Sequence, residues 1–423
     1  MIKKKILFYT DCPIFGGCEK PIFEVLGSDD FASRYDFTVI FRITKAYLEG
    51  LALFWPSFPK GLSCGIRLFD INTVSYYLAR KIKDPLLLRI AGKSITLIFI
   101  LMTPFLFSYD FLLLSALFRR NRADIIHINN GGYPGALSCR VAAVAARAAG
   151  FKKIILSVHN TAFKSKGFID KYIDRLVKRD VDVIVTGSKA SGSALAGNRG
   201  FDPNKIITIY HGVNPNKITS GKSSIGEDAG LGKYISMVAR FEDRKGHKYA
   251  VEAFKKVIEG NPSFADIKLV LIGDGPMLSD IKQLVASERL ENNVRFMGHR
   301  NDYIDYVVSS LFLINPSIGY EDLPYIILEA MALGVPVIGT DIAGIPEEIE
   351  DGVTGIVVPP KDAEALGQAI SKMLSDSEGR MRMGRAAQER FRKLFTLNKM
   401  IDSYLTLYDK GIPERSTGQG DYS

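Results

Sequence analysis

Short, unbroken apolar runs recur along the whole chain. Longer stretches separate them, in which apolar residues return every three or four positions. In the first half the runs fall at 5–10, 37–41, 124–128, 153–158, 183–187 and 206–210. In the second half they fall at 235–239, 268–272, 294–297, 311–315, 336–339 and 355–358. A half-exposed strand alternates apolar and polar residues, whereas a strand covered on both faces does not. The pattern therefore predicts parallel sheets covered by helices. Its βαβα succession predicts two doubly wound α/β domains. The stretch 215–233, rich in Gly, Ser and Asn and without a period, predicts the break between them. A basic helix at 379–393 and an apolar one at about 397–408 end the pattern, and 413–423 reads as disordered.

One segment departs from this rhythm. Residues 94–118 carry a single charge, Asp110, with Lys93 before the run and Arg119, Arg120 and Arg122 after it. Length and apolarity reach those of a membrane span. Pro104 interrupts the run, Asp110 would be costly in mid-bilayer, and a strand follows at once. The favoured reading is one or two helices of the first domain with part of their apolar face on a membrane. A wholly buried pair and a true span are the other readings.

Charge supports two unlike halves. The chain of 423 residues carries a formal charge of +9, made of +15 over 1–217 and −6 over the remainder. A basic surface attracts nucleic acid or anionic lipid. No paired Cys/His fingers and no aromatic-basic repeat point to nucleic acid. Cys12, Cys18, Cys64 and Cys139 form no CxxC pair and read as reduced thiols rather than a disulfide framework or a zinc site. The first apolar run is too short for a signal peptide, and the chain is expected in the cytoplasm.

Candidate chemistry clusters where predicted strands end, the edge at which open α/β sheets bind ligands. After the first strand comes TDCPIFGGCEK, where Gly16 and Gly17 allow a close backbone approach and precede a helix start. HINNGGYPGA and SVHNTAF follow later strands, the second presenting His159 and Asn160. Arg240 ends a strand and Lys245 follows five residues later; two such cations suit a diphosphate. Gly273 and Gly275 lie in LIGDGPM. Each piece alone has a plain alternative: a βα turn, a hydrogen-bonded loop histidine, solvated charges. The stretch YEDLPYIILEAMALGVPV is less ordinary. It predicts a helix from near Pro324 to Gly334, with Glu321 just outside and Glu329 inside. Helix-start amides favour anions, and buried carboxylates need strong donors such as sugar hydroxyls.

In this order the pieces resemble the family 4 glycosyltransferases of GT-B fold, most closely over 235–360. There Arg240, Lys245-Gly246, GDGP, the pair Glu321 and Glu329, and GIPEE follow one another. The resemblance implies an N-terminal acceptor domain (1–214), a nucleotide-sugar domain (215–395), and a last helix returning to the first domain, followed by a tail (396–423). It implies a UDP- or GDP-linked sugar as donor substrate, no cofactor and no metal, and transfer with retention. Arg240 and Lys245, with the amides of Tyr325 and Ile326, would hold the diphosphate, and Glu329 the ribose. Glu321 would hold the sugar, and Met297 to Arg300 the base. Gly16, Gly17 and Gly273 would line the donor, as would Asp322, Leu323 and Pro324. His159 would sit near the sugar and the acceptor hydroxyl. Asp322 stands where the family usually has glycine, and Asn160 where it commonly has aspartate; the first bears on donor identity. The basic, apolar first half implies a lipid-linked glycan acceptor in bacterial surface polysaccharide assembly, with peripheral contact to an anionic membrane. A soluble enzyme acting on a small sugar or storage glycan is the nearest alternative. A non-catalytic carbohydrate-binding or scaffold protein is another. An NAD-dependent oxidoreductase would want GxGxxG where Gly16-Gly17 stands.

Overall fold

A computed structural model describes residues 3–59, 63–66, 85–165, 167–218, 230–319 and 321–410. Side chains 63, 64 and 85–100, much of the stretch 215–233, Tyr320 and the tail 413–423 lie outside what is described. The chain forms two compact units, one of 1–185, 192–207 and 405–423, the other of 186–191 and 208–404. The change of unit after residue 207 precedes the Gly/Ser/Asn-rich stretch, because the last strand of the first sheet ends at Thr208.

In chain order the first sheet and its helices are β1 (Lys4–Thr10), α1 (Lys20–Leu26), α2 (Asp29–Arg34), β2 (Tyr35–Arg42), α3 (Lys45–Phe54), β3 (Ser63–Ile66), α4 (Pro85–Arg120), β4 (Ile125–Asn130), α5 (Leu137–Ala148), β5 (Lys153–Val158), α6 (Gly167–Asp180), β6 (Val183–Thr186), α7 (Lys189–Arg199) and β7 (Ile206–Thr208). The strands lie parallel in the order β3-β2-β1-β4-β5-β6-β7. Every residue of β4 is buried, and so are the last five of β1 and of β5, which is why these runs show no alternation. β3 has no apolar run and is not predicted by the pattern.

α4 is one helix through Pro104, not two. A helix tolerates an internal proline at the cost of a kink and one lost backbone bond. Leu114 and Phe118 are fully buried in the sheet's core, and Phe107, Phe111 and Leu117 pack against it. Leu101, Phe105, Tyr109 and Leu112 face outward, each more than half exposed. By length and composition 101–120 is long and apolar enough to cross a membrane; its inner face packs on the core.

The second unit contains β8 (Tyr234–Val238), α8 (His247–Gly260), β9 (Lys268–Ile272), α9 (Leu278–Ser287), β10 (Val294–Gly298), α10 (Tyr303–Val308), β11 (Leu313–Asn315), α11 (Tyr325–Ala332), β12 (Val337–Thr340), α12 (Ile345–Glu348), β13 (Gly355–Val358), α13 (Ala363–Ser375), α14 (Ser377–Leu394) and most of α15 (Leu397–Lys410). Its six parallel strands run β10-β9-β8-β11-β12-β13. Strand order reverses between β1 and β4 in one sheet and between β8 and β11 in the other. At such a reversal the loops leaving the strands part to opposite sides and open a crevice.

Candidate active site

In the second unit, the loops leaving β8 and β11 hold the cations and the first carboxylate. Gly246 joins them: its φ is +73°, and a Cβ there would lie 1.9 Å from the Pro316 carbonyl oxygen. Only glycine fits, and the Ile318 amide then donates to the Arg244 carbonyl at 2.7 Å. The Glu321 carboxylate, 6% exposed, accepts from Lys245 Nζ, from Arg244 Nη1 at 3.1 Å and from Ser317 Oγ at 3.0 Å. Two cations and a hydroxyl are what a carboxylate needs in order to be buried. Arg240 points largely into solvent, its Nε 2.8 Å from Glu242, which also binds Arg244 Nε at 2.8 Å.

α11 begins at Tyr325, with Pro324 as an extended N-cap and no side-chain cap. Glu329 is buried and accepts from the Tyr303 hydroxyl at 2.9 Å. Burial, and then the Glu329 charge, push the Tyr303 phenol upward. Gly273 carries φ +143°, with its Cβ position 2.0 Å from the Ala239 carbonyl oxygen, so the GDGP turn lies against the loop leaving β8. Met297 packs in a small cluster beside β8 and β9. Arg300 pairs with Asp302 at 2.6 Å and lies over the Tyr306 ring at 5.5 Å.

Asp322 is buried, with both oxygens engaged inside the fold. One accepts from the Gly187 amide at 3.0 Å, the other from Ser188 Oγ at 2.5 Å. Its backbone carbonyl takes the Gly344 amide at 2.9 Å. Leu323 is buried and gives its carbonyl to His211 Nδ1 at 3.2 Å. Burial lowers the His211 pKa and raises that of Asp322. Glu347 of the GIPEE motif accepts from the Lys189 and Ala190 amides at 2.9 and 2.8 Å. Its neighbour Glu348 is fully buried, which, with Glu321 nearby, drives its carboxyl far upward.

In the first unit, a Cβ added at Gly16 or Gly17 would meet no atom within 4 Å, so packing does not demand glycine there. Cys12 and Cys18 flank them with sulfurs 3.4 Å apart, both free thiols. His159 follows β5, is 7% exposed, and holds its Nε2 2.6 Å from Asn129 Oδ1. Asn160 donates to the Gly131 carbonyl at 2.7 Å. The structure thus gathers Arg244, Lys245 and Glu321 around one point and sets Glu329 on the adjoining helix. The sequence reading missed Arg244, Ser317 and Tyr303. Arg244 sits beside a named lysine, but nothing in the spacing marks Tyr303.

Two family models match the chain: Glycosyl transferases group 1 over 226–390 and Glycosyltransferase Family 4 over 76–217. An N-acetyl-alpha-D-glucosaminyl L-malate synthase of Bacillus anthracis is 28% identical over 71% of this chain and 78% of its own length. An Escherichia coli UDP-Gal:alpha-D-GlcNAc-diphosphoundecaprenol alpha-1,3-galactosyltransferase is 25% identical over 69% of this chain and 76% of its own. In fold the chain is similar to Anabaena HepE, crystallised with UDP (TM-score 0.74, 18% identity, 96% of this chain and 99% of that one). Two matched models that together span most of the chain, over two parallel-sheet units of this architecture, place it among the family 4 glycosyltransferases of GT-B fold.

Proposed function

We propose that this glycosyltransferase moves a sugar, with retention, from a UDP- or GDP-linked donor to a lipid-linked glycan in bacterial surface polysaccharide assembly. The observation that carries the donor half is the Arg244–Lys245–Glu321 cluster at the β8/β11 reversal, beside a helix start with no side-chain cap. When a glycosidic bond to a nucleotide diphosphate breaks, negative charge grows on the leaving phosphate. Lys245 and the first amides of α11 meet that charge from positions they already hold, and Arg240 turns in from its pairing with Glu242 to join them. This chemistry calls for no cofactor and no metal. Glu321, buttressed by two cations, accepts from the sugar's hydroxyls, and Glu329, held by Tyr303, from those of the ribose. Met297 and Arg300 flank the base, Gly16, Gly17 and Gly273 let backbone approach the donor, and His159 serves the sugar and the acceptor hydroxyl. Asp322, Leu323 and Pro324 act by shaping the turn into α11.

The acceptor half rests on α4. Its outward stripe of Leu101, Phe105, Tyr109 and Leu112 ends in Arg119 and Arg120. On α6, Phe168 and Tyr172 are also exposed, near Lys171 and Arg175. Apolar stripes with basic flanks suit the interface of an anionic membrane. A small soluble acceptor is the second reading, favoured by the name of the malate synthase relative.

Nucleotide sugars screened by thermal shift, followed by hydrolysis and transfer assays with the best one, test the proposal. Arg240→Ala and Lys245→Ala should each lower kcat/KM by at least about 100-fold. Near-normal transfer in both variants would sink the assignment. Glu321→Ala should act on kcat, and Glu329→Ala on the donor KM.

A further inference from the structure

The first sheet has a crevice of its own. At the reversal between β1 and β4 lies a cavity of about 390 Å³, a volume at the lower end of small-molecule sites. Residues 11–13 after β1, Asn130 at the end of β4, and 131, 132 and 134–136 after it line the cavity, with the first turn of α5, Arg42 and, from α4, Leu106 and Asp110. Most polar groups around it are engaged. Arg42 binds Asp11 through Nε and, at 2.9 Å, through Nη2, and Ser138 also donates to Asp11. Asn130 donates to the Pro134 carbonyl and accepts from the Ala136 amide, each at 3.3 Å. Arg140 binds Asp170 at 2.6 Å.

Asp110 differs. It is 5% exposed, it lines the cavity, and no hydrogen bond or ion pair joins its carboxylate to any described residue. An unpaired buried carboxylate is costly to a fold, and its natural complement is a ligand that donates hydrogen bonds. Desolvation, and then the Asp11 charge, raise its carboxyl to about 6 against the pull of Arg42. On the other side of the same helix runs the exposed stripe Leu101, Phe105, Tyr109 and Leu112. α4 therefore offers a hydrogen-bond acceptor inward and an apolar track outward.

We propose that this cavity seats the polyhydroxylated head of an amphiphilic acceptor, with the Asp110 carboxylate accepting from its hydroxyls and the apolar tail lying along the outer face of α4. The word acceptor rests on the glycosyltransferase reading above. The cavity's taste for a sugar head with an apolar tail does not.

The test titrates octyl glycosides of glucose, galactose, mannose and N-acetylglucosamine, each below its micelle concentration, into the full chain by calorimetry. UDP is titrated separately. At least one glycoside should bind, and Asp110→Asn should weaken it tenfold or more. Leu106→Trp, which fills the cavity and leaves the carboxylate in place, should do the same; it also covers the case in which the first variant misfolds, as its melting curve would reveal. Failure of the wild-type chain to bind any glycoside overturns the proposal. So does unchanged affinity in either folded variant. Failure to bind UDP counts against the donor reading alone.

Discussion

A buried carboxylate with no partner among the described residues leaves a mark on stability as well as on binding. The Asp110 carboxyl is raised to about 6, above the 3.8 of a free aspartate. Between those values the folded chain binds more protons than the unfolded one, so the penalty is absent below pH 3.8 and complete above pH 6. Asp110→Asn should therefore stabilise the first unit at pH 7.5. The gain should fade as the pH drops towards 4. Thermal melts of both chains across that range check it; a variant that is less stable at pH 7.5 would contradict the geometry. Two histidines behave oppositely. Burial lowers His127, and burial together with Lys245 lowers His247, each to about 3. Their ring proton signals should stay flat in an NMR titration from pH 8 to pH 5. Asp322 shows the limit of sequence at this scale. The chain reveals a carboxylate where the family usually has glycine. Its partners Gly187 and Ser188 lie 135 and 134 positions away, and no spacing rule reaches them.

At the scale of elements, the strands were legible because burial on both faces writes an unbroken apolar run. Each of the runs named became a strand of a parallel sheet. β3 escaped because four residues reading SCGI have no such run. The spaced carboxylates were legible through the helix between them. Their supports were not, since Tyr303 reaches Glu329 from a different helix. Tyr303→Phe should raise the donor KM about tenfold or more with little change in kcat, the loss of one hydrogen bond to a charged group; separate kcat and KM values decide it. Gly246→Ala tests the loop joint. With φ at +73° and the Pro316 oxygen 1.9 Å from the Cβ position, it should cost more than about 2 kcal/mol and loosen the Lys245–Glu321 pair. Denaturant unfolding alongside donor hydrolysis measures both effects.

For the whole molecule, the charge division follows the two units only roughly, yet it bears on where the protein works. The +15 of residues 1–217 and the outward stripe of α4 belong to the same half. Flotation with liposomes containing about one-third anionic lipid should carry the chain upward, and with neutral liposomes much less. Replacing Leu101, Phe105 and Leu112 by serine should abolish flotation in both. An intact float after that triple change would remove α4 from the membrane. Domain limits were the least legible feature, because composition marks a loose stretch and not the last strand of a sheet.

α15 belongs to both units, with the change at Leu405. Its end completes the first unit: Tyr408 is buried, bonds His127 Nδ1 at 2.8 Å, and meets the rings of Phe8, Phe31 and Tyr35. A ribosome delivers that segment roughly two hundred residues after β7. During synthesis the first unit must therefore wait, with the rings around His127 uncovered, while the second unit is made. The first unit is completed only after the second has been translated, and a chain stopped at residue 395 would leave its earliest-made part unfinished.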